Sequence, residues 1–129
     1  MAVDTTTGNE EFEGVSPLVA VPVTIPSGQS LSPAVDLGNA SIVEVGMPAA
    51  WDAAQLTFQV SADGVTWLNF YKNDGSTEYS VTVTAGIAEP PPSLQDFAGW
   101  RYWKLRSGTH SAAVNQTADR TFTLMTRPV

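Results

Sequence analysis

Cysteine is absent from all 129 residues of the chain. That excludes disulfide scaffolds, thiolate zinc sites and cysteine nucleophiles together, and it suits synthesis in a reducing compartment. Histidine occurs once, as His110 in the loop-like stretch Ser107-Gly108-Thr109-His110-Ser111. No second imidazole exists to complete a conventional zinc site. Six basic residues stand against thirteen acidic ones, for a formal net charge of −7. A chain so poor in Lys and Arg is unsuited to neutralising phosphates, so direct nucleic-acid binding is not expected. No apolar run approaches the about 20 residues of a membrane-spanning helix. The opening MAVDTTTGNEEFEG has neither the basic nor the apolar region of a secretory signal.

Catalytic patterns are equally scarce. There is no G-x-S-x-G nucleophile motif and no glycine-rich phosphate loop. Glycoside hydrolysis needs only two carboxylates, and Asp36, Glu44, Asp52, Asp63, Asp74, Glu78, Glu89, Asp96 and Asp119 are available. Most of them stand at turns, where Asp accepts hydrogen bonds from its own backbone. A calcium loop would need the regular oxygen spacing of an EF-hand, which is missing. The expectation is a non-enzymatic protein with no catalytic residue, no cofactor and no resident metal.

What the chain does have is a series of short apolar pieces cut by turn residues. Residues 1–16 read as a flexible acidic arm: Asp4, Glu10, Glu11 and Glu13 crowd it, and Phe12 is its only aromatic. Residues 17–129 fit one domain. Within it the pattern predicts strands over 20–25, 41–47, 55–61, 67–71, 78–84, 100–107 and 120–126, with a weaker extended segment over 31–37. Pro22 marks the first as an edge strand. The clearest period of two runs through Leu56, Phe58 and Val60 on one face, with Gln55, Thr57 and Gln59 on the other. In the second strand Val43, Val45 and Met47 are expected on one face, Ile42 and Glu44 on the other. Tyr79, Val81 and Val83 are expected inward, as are Trp103, Leu105, Phe122 and Leu124. Asp63-Gly64 and Asp74-Gly75 signal hairpin turns, and Glu89-Pro90-Pro91-Pro92-Ser93 a stiff crossing loop. Residues 47–54 have the best helical propensity, yet two turns are too short for a stable helix. About eight short antiparallel strands without a convincing helix predict an all-β sandwich or jelly roll.

Function then points to surfaces. Five of the six basic residues, Arg101, Lys104, Arg106, Arg120 and Arg127, fall in the last thirty. An acidic arm could dock on a basic face, its own or a neighbour's. Trp67 and Trp103 are expected to fill the core. Trp100 and Tyr102 are expected on the face opposite Trp103 with Lys104 and Arg106, as an amphipathic cationic strip. The candidate partner-interface residues are Phe12, Trp51, Trp100, Tyr102, Lys104 and Arg106.

Two resemblances extend this reading. Val60-Ser61-Ala62-Asp63-Gly64-Val65-Thr66-Trp67, with Arg101-Tyr102-Trp103-Lys104-Leu105-Arg106, resembles the paired strands of discoidin-type, galactose-binding-like sandwiches. It covers about a third of the chain, lacks the disulfide clasp of secreted members, and implies the fold more than a sugar site. The second runs through Ile25-Pro26-Ser27-Gly28-Gln29-Ser30-Leu31-Ser32, Met47-Pro48-Ala49-Ala50-Trp51, Arg101 to Thr109 and Val114-Asn115-Gln116. It is similar to small structural proteins of tailed bacteriophages, most closely the capsid decoration or cement proteins. That resemblance implies a virion component on the capsid exterior, assembled in the bacterial cytoplasm, bound to the major capsid protein across capsomer junctions and homo-oligomeric, with a trimer favoured. The alternatives are a carbohydrate-binding module on a phage tail or fibre, with a glycan as ligand, or another tail or baseplate component.

Overall fold

The structure, a computed structural model, describes Leu18 to Pro128. The expected arm and Phe12 lie outside the described residues. Among the described residues eight strands form, in chain order: β1 (Val19–Ile25), β2 (Val35–Asp36), β3 (Ala40–Gly46), β4 (Leu56–Ser61), β5 (Leu68–Asn69), β6 (Ala88–Glu89), β7 (Tyr102–Ser107) and β8 (Arg120–Pro128). They make two antiparallel four-stranded sheets, ordered β1-β8-β3-β6 and β2-β7-β4-β5. The all-β sandwich is therefore present. The one helical element among the described residues is a 3₁₀ turn at Gln95–Phe97, and residues 47–54 are loop.

Alternation builds the core. Leu56, Phe58 and Val60 of β4, Trp103 and Leu105 of β7, and Phe122 and Leu124 of β8 all point between the sheets and are buried. The 3₁₀ turn delivers Phe97 into the same space. Its ring lies parallel to Trp103 at 5.2 Å and edge-on to Phe58 at 5.2 Å. Phe70 and Tyr79 complete this aromatic centre. Such pairs add about 0.5–1.5 kcal/mol each beyond the area they bury.

β1 is an edge strand, as Pro22 implied, because the missing amide hydrogen costs nothing where no neighbour waits. Three other expectations are corrected. In β3 the register shifts between Ile42 and Glu44. Val43 is the extra residue of a bulge, so Ile42 and Val45 both turn inward and Ile42 does not share a face with Glu44. The segment 78–84 keeps Tyr79 and Val81 buried but pairs only through isolated bridges, Tyr71 with Glu78 and Leu56 with Val81. The segment 31–37 is extended only in part. It bridges Arg106 at Leu31 and forms β2 at its end, with Pro33 between.

Candidate binding face on the second sheet

Antiparallel register decides which side chains meet on the outer face of the second sheet. Trp103 and Leu105 point inward, so Tyr102, Lys104 and Arg106 point outward. Opposite them on β4 stand Ser61, Gln59 and Thr57. Asp36 of β2 faces Tyr102, and Asn69 of β5 faces Gln59. One row thus carries a phenol, an ammonium, a guanidinium and two amides.

One end of the row is aromatic. The Lys104 ammonium sits 4.5 Å from the Trp67 ring centroid, a cation–π contact. Arg101 lies 5.1 Å from the Tyr102 ring and holds Asp36 through two hydrogen bonds of 2.8 and 3.0 Å. That guanidinium, with the Gly38 amide, holds the Asp36 carboxyl down at about 2. The 61–67 hairpin leans on the same phenol: a methyl group added at Gly64 would lie 3.4 Å from the Tyr102 ring. Asp63 organises this hairpin by accepting from the Thr66 and Val65 amides, both at 2.9 Å, and from Ser61. Those amides, Thr66 first, pull its pKa below the usual carboxylate value.

The other end is a buried polar knot. Arg106 donates to Thr57 Oγ1 at 3.0 Å, to Asn69 Oδ1 at 3.1 Å and to Glu78. Glu78 also accepts the His110 amide. The Thr57 hydroxyl in turn donates a hydrogen bond to the Gly108 carbonyl at 2.6 Å. The loop carrying His110 is thereby folded over the sheet, and His110 Nε2 meets the Tyr71 hydroxyl at 2.8 Å.

The expected strip is partly assembled and partly redistributed. Tyr102 and Lys104 lie on the face, half-buried. Arg106 lies on it too but is only 6% exposed, and each of its three guanidinium nitrogens is engaged, by Thr57, Asn69 and Glu78; it is a structural cation and not a free contact. Trp100 does not join this face. It packs against the core, and its carbonyl accepts the Trp103 indole N–H at 2.9 Å. Trp51 also packs on the core, edge-on to Phe122 at 5.4 Å, with its indole N–H donated to Ala54. Trp67, expected in the core, is the tryptophan that stands outside it. Gln59, Asn69, Tyr71 and His110 complete the face. Gln59 was legible from the β4 alternation. The other three follow from which loops fold over the sheet, a property no local pattern carries.

The basic residues are largely answered within the domain. Arg101 pairs with Asp36, Arg106 with Glu78 and Arg120 with Asp52. Among the described residues, no three His, Asp or Glu side chains converge as a metal centre requires, and no helix is long and apolar enough to cross a membrane. No protein-family model, no curated protein and no solved structure matches the chain.

Proposed function

We propose that this domain is a non-enzymatic virion structural module that decorates a phage capsid, binding the major capsid protein through the outer face of its second sheet. The observation that carries the reading is the group of Tyr102 and Lys104 on β7 with Trp67, just before β5, against the Lys104 ammonium and beside Gln59 and Asn69. Tryptophan and tyrosine turned outward are residues in which protein-binding surfaces are enriched. The Arg106–Glu78 knot beneath keeps the sheet face rigid, so little freedom is lost on docking. Modest contacts suffice if copies act together, since symmetric attachment raises effective concentration; a homotrimer across a capsomer junction fits that requirement.

Co-sedimentation with capsids lacking their decoration tests this. Lys104→Glu and Tyr102→Ala should lose attachment by at least tenfold, whereas Ala88→Glu on the first sheet should not. Retention of both face variants at parental levels ends the proposal.

A second reading is favoured by one combination: Trp67 and Tyr102 offer ring faces beside the amides of Gln59 and Asn69, which suits stacking and hydrogen bonding to a sugar. Binding on a glycan array that disappears with Trp67→Ala would support it. A blank array at high protein concentration would remove it.

A further inference from the structure

The two sheets face each other along their β1 and β2 edges, and there the strands are unequal. β1 runs for seven residues and β2 for two. Pro33 before β2 and the turn at Gly38 after it keep it short. The described residues leave a seam between the sheets uncovered, and two grooves lie along it. The larger, about 350 Å³, is lined by Val19, Val21, Leu37, Ala40 and Pro128, with Asn39 at its border. The smaller, about 240 Å³, lies between Pro22–Thr24 and Pro33–Val35.

Two of the polar side chains that line the larger groove, Thr126 and Asp36, are already engaged. The Thr126 hydroxyl donates to the Val19 carbonyl at 3.0 Å. Asp36 is held by Arg101 and the Gly38 amide. What the groove offers is aliphatic surface, which favours an apolar occupant. Val19, which lines it, is 49% exposed, and Leu18 before it is 53% exposed. Pro22 has no amide hydrogen to give to a strand added along β1, so a side chain inserted between the sheets suits the site better than a continuous ladder.

Seventeen residues precede Leu18, and they join the domain there, next to Val19 of the groove. Phe12 is the one aromatic among them. The six residues from Phe12 to Leu18 can span about 20 Å when extended, enough to reach the groove from its own chain. The acids around Phe12 would stay at the rim, where Arg101 is exposed beside Asp36. We propose that residues 1–17 close the seam of the sandwich by seating Phe12 in the groove between β1 and β2. This inference is independent of what the second sheet binds.

The absence of cysteine makes the test clean. In the full chain, Glu13→Cys and Asn39→Cys place thiols beside Phe12 and at the groove border. Under mild oxidation this pair should form a disulfide at least tenfold faster than a Glu13→Cys, Ala88→Cys pair, whose second thiol lies on β6 at the far edge of the same sheet. Adding Phe12→Asp should return the rate to that of the control pair. A cross-linked monomer identifies the chain's own segment as occupant and supports the proposal; a cross-linked dimer puts a second copy's segment there and overturns it. Equal rates for the two pairs, or a rate indifferent to Phe12→Asp, overturn it and leave the groove to another partner.

Discussion

The guanidinium of Arg106 and the carboxylate of Glu78 meet on the outer side of the second sheet with only 7% and 11% of their side chains exposed. An ion pair this sheltered is expensive to half-remove. Glu78→Ala leaves Arg106 charged, buried and short of a partner, and should destabilise the fold by about 3–5 kcal/mol. The double variant Arg106→Met, Glu78→Leu should recover most of that loss. Urea unfolding of the three proteins checks the pair. A double variant no more stable than Glu78→Ala would show that the bonds to Thr57 and Asn69 matter more than the charges.

The tryptophans should separate by role. Trp51→Ala removes a ring packed edge-on against Phe122 and should cost about 2–4 kcal/mol, just under the range for fully buried aromatics. Trp67→Ala removes a ring outside the core and should cost about 1 kcal/mol or less. Denaturant midpoints for the two variants decide this, and the reverse order would refute the placement of Trp67 outside the core.

Gly108 is held at φ +87° with its position crowded by backbone: an added methyl group would come within 2.5 Å of the Ala112 carbonyl oxygen and 2.8 Å of the Val114 nitrogen. Gly75, at φ +72°, has nothing within 4 Å. Gly75→Ala should therefore cost only the left-handed strain, about 1–2 kcal/mol. Gly108→Ala should cost clearly more, since backbone atoms cannot swing aside. It should also disturb the Thr57 hydroxyl that bonds the Gly108 carbonyl. Thermal midpoints of the two variants should differ by several degrees.

Acid sensitivity has a defined window. Asp36 and Asp74 titrate at about 2 in the fold against an ordinary 3.8. The cause is Arg101 for Asp36 and the Thr77 hydroxyl for Asp74. A carboxyl whose folded pKa is depressed contributes stability above its unfolded value and loses it as pH falls toward the folded one. Stability should thus decline between pH 3.8 and 2 from these two groups. Asp36→Asn and Asp74→Asn should each flatten that part of a melting-temperature profile and leave the profile near pH 7 parallel to the parent.

Strands with an uninterrupted period of two were legible from the residues alone. β8 buries every second side chain, and in β4 and β7 apolar residues at alternate positions turn into the core, which local alternation encodes directly. β3 misled because a bulge breaks the period at Val43 and no residue type there announces it. The segment 78–84 alternates correctly but lacks a neighbour long enough to make it a strand, and neighbours are a property of the whole sheet. The exchange of Trp67 and Trp100 has a similar origin. Trp100 sits just before β7, where the chain is not yet held to the pleat, so counting back from Trp103 assigns it the wrong side. For Arg106, the face was correct and the burial was not. Its cover comes from Glu78 and the loop through His110, which are 28 and 4 positions away in the chain.

Among the described strands β1 pairs with β8 alone, and the Thr126 hydroxyl closes on the Val19 carbonyl across 107 positions of chain. During synthesis the first strand must wait, unpaired, until nearly the whole domain has emerged. The second sheet needs no such delay for its β4–β5 hairpin, joined through the Asp63 turn. Folding should then run from the middle outward, with the first sheet closed last. Closing so long a loop is entropically slow, and the interval before β8 arrives is when β1 is most open to pairing with another nascent chain.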